Sequence, residues 1–500
     1  MSLMQAPRMA ATAPQDTDPA IGMSAAKLKR VLWWLAALGL IGLAVFMGWG
    51  SKIDNSANAL KTAMTFVNTD EKTPDRLAWN LSIDGAIATT SATTSATTSA
   101  TTSTTDTTPS ALRSAESRLI AIYQLLRSGE RAMALNEADD LTSDYPNFQL
   151  AQLLYADLLA ASANQTIDLS DLAPKNSEQA IQLAALVRES ELRLQALTEV
   201  PAPGTLPSNF VALPPSTRNA IAIDASRARL YWFKNIAKPG DPAQMVLTKD
   251  AYMSVGKEGV GKLVEGDNRT PLGVYFITSL LPGSELPDLY GRGALPLNYP
   301  NALDILRKKT GSGIWLHGTP TEQYVRSPLA SEGCVVLSNP DISLLLEEAD
   351  IKETPVVIAK SLTWVSAAAI SAQLATTSAS ATATTPTGTA TDDAAASFKN
   401  QFANWQNSRR LQDFAALRDM YSDQFFRRGK GLSHWWVTIK NEATSTSSQD
   451  DITVLSWQDQ DQVMVVNYAD SVTPDLRAIK KRQYWRLEGD TWRIFYEGNA

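Results

Sequence analysis

Cys334 is the sole cysteine among 500 residues, and it follows His317, one of two histidines, by seventeen positions. A thiol becomes a competent nucleophile when a neighbouring base takes its proton, and imidazole does this near neutral pH. A lone cysteine is also commonly a small buried hydrophobe, so the surrounding residues decide between the two. His317 lies in Gly313-Ile314-Trp315-Leu316-His317-Gly318-Thr319-Pro320, a short apolar run that reads as a buried strand ending in a glycine turn. Cys334 lies in Ser331-Glu332-Gly333-Cys334-Val335-Val336-Leu337-Ser338-Asn339, where Gly333 permits a tight approach and the apolar run is strand-like. Two strand ends can thus bring thiol and imidazole together, with the N–H groups of Gly333 and Cys334 available to an oxyanion. The other histidine, His434, stands beside Trp435 and Trp436 and reads as packed or pocket-lining rather than as a second base. No histidine or cysteine cluster has metal-ligand spacing, so neither metal nor cofactor is expected.

On these residues the chain resembles the L,D-transpeptidase catalytic domain of bacterial peptidoglycan remodelling, whose signature is His-Gly, a loop of this length, then Ser-x-Gly-Cys and an apolar strand ending near Asn. The resemblance extends upstream. Ala220 to Ser226 with Arg229 to Phe233 looks like the family's opening hairpin, and Val255-Gly256-Lys257 with Gly266-Asp267-Asn268-Arg269-Thr270-Pro271-Leu272-Gly273 looks like its Gly-Asp-x-x-Thr-Pro-x-Gly segment. Two positions depart from the pattern. Glu332 stands where the family often has histidine, and Val336 stands where it usually has a substrate-binding arginine. Arg292, Arg326 and Arg269 are the candidate replacements. With Tyr299 and Asn339, the first two make up the expected substrate contacts.

The resemblance implies that Cys334 attacks the diaminopimelate–D-alanine bond of a stem peptide. His317 then takes the thiol proton, and the Gly318 carbonyl and Ser331 hold the imidazole tautomer. Transfer of the acyl group to an amine makes a transpeptidase; transfer to water makes an L,D-carboxypeptidase that trims tetrapeptide to tripeptide. The motif pattern favours the transpeptidase. A non-catalytic peptidoglycan-binding scaffold is the reading of another class, and the intact cysteine–histidine pair argues against it.

The elements around this pair suggest a multidomain α+β chain. A net charge of −7 and the absence of a strong basic block beyond the amino terminus argue against nucleic-acid binding. Val31 to Gly50 is a continuous apolar run preceded by Lys27, Lys29 and Arg30, with Trp33, Trp34 and Trp49 near its ends. Such a run spans a bilayer with its basic side in the cytoplasm. Residues 1–26 are therefore expected to be a cytoplasmic tail, 27–50 an inner-membrane helix, and the rest periplasmic. Ala57-Asn58-Ala59 has the spacing of a cleavage site but lies far beyond the apolar run.

Residues 51–110 and 366–396 are rich in Thr, Ser and Ala and read as linkers. Residues 111–203 show helical spacing broken at Tyr145-Pro146-Asn147-Phe148 and resemble a tetratricopeptide-like hairpin, either a spacer or a surface for a protein partner. Residues 218–362 are the expected, mainly β, catalytic domain. Residues 397–500 read as helices followed by four alternating strands, which resembles the cone-shaped nuclear transport factor two-like fold. The arrangement as a whole resembles the cell-shape-determining L,D-carboxypeptidase group.

Overall fold

The structure, a computed structural model, describes residues 114–163, 177–368, 390–442, 446–471 and 479–500, together with two short parallel strands at Asn58–Ala59 and Ile167–Asp168. That strand pair belongs to a small unit of residues 1–81 and 160–172; residues 82–159 and 173–500 form the other. The apolar run at 31–50 and most of both linkers lie outside the described residues. Among the described residues no helix is long and apolar enough to cross a membrane.

The amino-terminal part is helical: α1 (Ala115–Arg127), α2 (Arg131–Asp144), α3 (Gln149–Ser162) and α4 (Glu178–Thr198). The side chains of Ser114 and Ser177 cap α1 and α4 by accepting from backbone N–H groups three residues on. Leu119, Ile122, Ala138, Leu141, Phe148 and Leu154 bury the shared face of the first three helices. Arg118, buried in that face, is paired with Glu137 and Asp144, as a buried charge must be.

The segment expected to be the catalytic domain is built on a ten-stranded mixed sheet. Its first half contains β3 (Asn219–Asp224), β4 (Arg229–Asn235) and β5 (Met245–Gly256), with β6 (Gly273–Phe276). The hairpin expected at 220–233 is present, with Ile221 opposite Trp232. Beyond it come β7 (Leu281–Pro282), β8 (Gly293–Pro296), β9 (Trp315–His317), β10 (Leu329–Ser331), β11 (Val335–Leu337) and β12 (Pro355–Ala359). The order is β6-β12-β3-β4-β5-β11-β9-β8-β7, with β10 paired to β5. Both faces are covered, so β3 and β12 are buried at every residue, and strands covered on both faces read as unbroken apolar runs. Helices α5 (Ala302–Leu306) and α6 (Asn339–Glu348) pack against the sheet.

The carboxy-terminal part has α7 (Ala390–Leu411), α8 (Phe414–Asp419) and α9 (Leu432–Glu442), with β14 (Tyr421–Arg427), β15 (Lys430–Gly431), β16 (Thr446–Gln458), β17 (Gln462–Ser471), β18 (Ile479–Glu488) and β19 (Thr491–Asn499). One sheet face closes over the helices around Phe398, Trp405, Trp485 and Trp492. The other packs Leu455, Val465, Tyr484 and Phe495 against Ala222, Phe233 and Val357 of the catalytic domain. The seventh strand of this sheet comes from before the catalytic domain. Of two short strands there, β1 (Thr205–Pro207) and β2 (Phe210–Ala212), β2 runs antiparallel to β16, while β1 pairs with β13 (Trp364–Ser366) in a separate sheet. Arg307 clasps Asp459 and Asp461 across the same junction at 2.6–2.7 Å. His434 is exposed on α9, with its ring edge-on to Trp435.

Candidate catalytic site

His317 ends β9 and Cys334 immediately precedes β11. The two strands are parallel, with Leu316 opposite Val335 and His317 opposite Val336. Because strand residues two apart share a face about 7 Å along, this register sets the thiol one pleat from the imidazole.

The imidazole is held on one side by its own turn. Nδ1 lies 2.7 Å from the Gly318 carbonyl oxygen. A carbonyl can only accept, so Nδ1 carries the hydrogen and Nε2 keeps its lone pair. The Tyr290 ring stands edge-on to the imidazole, 5.1 Å between centroids. Burial lowers the His317 pKa to about 4, against the Gly318 hydrogen bond and with the Arg326 charge adding to the fall. The ring is therefore a free base at neutral pH.

Gly318 must be glycine for this turn. A Cβ there would stand 2.3 Å from Asn339 Oδ1. That amide is a latch: Oδ1 accepts from the Arg292 N–H at 3.0 Å, and Nδ2 donates to the Thr319 carbonyl at 2.8 Å.

Cys334 is partly buried and donates to the Gly313 carbonyl at 3.4 Å. Burial raises its pKa; the Trp315 N–H aimed at the sulfur and the charges of Arg326 and Lys262 pull it down, and Glu332 pushes it up. The resting pair is thus neutral thiol and neutral imidazole. Among the described residues no hydrogen bond joins the thiol and the imidazole.

The residues before the thiol are tied into a turn. Ser331 Oγ accepts from the Gly333 N–H at 3.1 Å and donates to the Cys334 carbonyl at 2.6 Å. Two expectations are corrected here. Ser331 does not reach the imidazole, because both its hydrogen bonds stay within its own turn. The Gly333 N–H, expected to face an oxyanion, is likewise given to Ser331 Oγ. Gly333 has φ +125°, and a Cβ on it would meet the Arg269 carbonyl at 2.8 Å.

The other expected residues separate into two groups. Arg326 is half-buried, and its charge is felt at both Cys334 and His317. Arg292 is exposed and meets the site through its backbone, while Asn339 spends both ends of its amide on the latch. Tyr299 is a core residue, its ring against Tyr275 and its hydroxyl donating to the Thr310 carbonyl at 3.0 Å. The expected substrate contact at Tyr299 is thus corrected: its ring fills the core instead of facing a cleft. Arg269 is exposed and donates to the Val260 carbonyl at 3.1 Å. Val336, at the position of the missing arginine, is buried.

Sequence reasoning missed Tyr290, the Gly313 carbonyl and the Lys262–Asp267 pair. Against the upward push of burial, the Lys262 ammonium and the N–H groups of Leu263, Val264 and Arg269 hold Asp267 at about 2. The Gly-Asp-x-x-Thr-Pro run marked this aspartate without revealing that its partner is a buried lysine five residues earlier.

Residues 218–358 match the family model of the L,D-transpeptidase catalytic domain, YkuD. No curated protein matches the chain significantly. Among solved structures, Bd1075 of Bdellovibrio bacteriovorus is 23% identical, with 59% of this chain and 98% of that one covered at a TM-score of 0.45. The helical cell shape determining protein Pgp2 of Campylobacter jejuni is 17% identical, with 58% and 95% covered at a TM-score of 0.43. An L,D-transpeptidase from Mycobacterium smegmatis is 13% identical, with 28% and 58% covered at a TM-score of 0.18. The match to the L,D-transpeptidase catalytic domain family thus rests on residues 218–358, the stretch that contains both His317 and Cys334.

Proposed function

We propose that this chain is a peptidoglycan L,D-transpeptidase that uses Cys334 as its nucleophile. The observation that carries the reading is the Nδ1–Gly318 hydrogen bond, which leaves Nε2 of a buried, neutral His317 as a base beside the Cys334 turn. The sulfur attacks the carbonyl carbon between diaminopimelate and the terminal D-alanine of a tetrapeptide stem, and its proton passes to Nε2. The oxyanion takes the Cys334 N–H. As the C–N bond breaks, the proton moves to the leaving amine, D-alanine departs and a thioester remains. An amine acceptor then attacks the thioester; His317 takes its proton and returns it to the sulfur.

Water in place of the amine gives the L,D-carboxypeptidase. Val336 favours this second reading, because an apolar buried residue there offers no cation to grip a stem carboxylate. Incubation with disaccharide-tetrapeptide and an excess of amine acceptor, followed by mass analysis, separates the two: cross-linked dimers or exchanged D-amino acids support transfer, and tripeptide alone overturns it. Residues 27–50 are proposed to anchor the enzyme in the inner membrane with the catalytic part in the periplasm. A reporter fused after Ser110 and active only outside the cytoplasm tests this.

A further inference from the structure

The loop from Thr319 to Pro328 joins the base to the strand leading into the nucleophile, and it carries Arg326. Its outer side rests on the helical part of the chain. The α2–α3 turn meets it at Asn147, whose Nδ2 donates to the Thr321 carbonyl at 3.0 Å and whose carbonyl accepts from the Tyr324 N–H at 3.1 Å. The Tyr324 ring is buried between Tyr145, edge-on at 5.2 Å, and Phe148 at 4.6 Å, as a member of the helical core rather than the catalytic one. Its carbonyl accepts from Thr319 Oγ1 at 3.2 Å. Two residues on, the Arg326 carbonyl accepts from the Tyr252 hydroxyl at 3.0 Å, and Arg193 of α4 lies 4.0 Å over the Tyr252 ring.

We propose that the α2–α3 turn, through Asn147, is a positioning element of the catalytic site: it fixes the loop that sets Arg326 beside Cys334. The helical part is then a wall of the active site and not only a spacer. The argument rests on the reading of Cys334 as nucleophile. The charged and titratable groups facing that thiol are Arg326, Lys262, Glu332 and the neutral His317; the first two are cations that favour thiolate. Lys262 is tied to Asp267 from within the catalytic domain. Arg326 is the cation whose loop the helices hold.

The test is the pH profile of Cys334 alkylation by iodoacetamide in the full chain, for wild type, Asn147→Ala, Arg326→Met and the double variant. Removing a cation raises the thiol pKa, so Arg326→Met is expected to slow alkylation at pH 7 by about threefold, half a decade per half pKa unit. Asn147→Ala is expected to move the profile in the same direction with an unchanged melting temperature. The double variant should match Arg326→Met alone. A wild-type profile for either single variant, or additive losses in the double, overturns the proposal. If Asn147→Ala does not fold, Tyr145→Leu removes the edge-on contact with Tyr324 and takes its place under the same expectations. Iodoacetamide needs only the thiol, so failure here is distinct from failure of the proposed enzyme reading, which shows as no turnover of stem peptide.

Discussion

The imidazole of His317 donates its Nδ1 hydrogen to the carbonyl of the very next residue, Gly318, at 2.7 Å. Among the described residues no carboxylate is hydrogen-bonded to this base, and burial dominates its titration. The acid limb of kcat/KM should therefore fall with a midpoint near 4, not near the ordinary histidine value of about 6.5. Activity lost already between pH 7 and 6 would show that the imidazole titrates near its ordinary value and that burial does not lower it.

Gly333→Ala should leave the fold intact at a cost of about 1–3 kcal/mol, since φ +125° is a strained conformation for any residue with a Cβ. Acylation should fall by about 100-fold, because the Cβ would press on the Arg269 carbonyl and move the sulfur. Thermal unfolding and carbapenem labelling, measured together, separate the two effects.

Asn339→Asp should be as damaging as Asn339→Ala. A carboxylate still accepts from Arg292 but cannot donate to Thr319. Both should lower acylation by about 10-fold or more through the loosened His317 turn. A change confined to KM would instead make Asn339 a substrate contact.

Arg307→Ala should lower the melting temperature, since its fork with Asp459 and Asp461 contributes about 1–2 kcal/mol across the junction of catalytic and carboxy-terminal parts. Carbapenem labelling of Cys334 should be unchanged. Loss of labelling would reveal that this junction shapes the site.

The strand that ends at His317 and the one that follows Cys334 were legible because short apolar runs bounded by glycine read as buried strands. The helices at 115–159 and four of the seven strands of the carboxy-terminal sheet were legible for the same reason of period. The role of Ser331 was not, because a serine three residues from a cysteine serves turn or tautomer equally well until the turn is seen. Tyr299 looked like a substrate contact on its long loop; only the tertiary fold shows its ring in the core. The Tyr324 clamp was equally hidden, since a tyrosine in a polar loop gives no sign that its ring partners Tyr145 and Phe148 stand 179 and 176 residues earlier, as Asn147 does from Thr321 at a separation of 174.

Asn209 and Ser456 are bonded across 247 residues of chain, at the strand that leaves the amino-terminal side of the catalytic domain to complete the last sheet. A nascent chain exposes β2 long before β16 exists to pair with it, so this edge must stay unpaired while the whole catalytic sheet is made. Cutting the molecule at the linker would strand one part without its closing strand and leave the other with a sticky flap. The carboxy-terminal sheet is consequently a buckle rather than a cassette: a chain that has fastened it has necessarily been read to its final hundred residues.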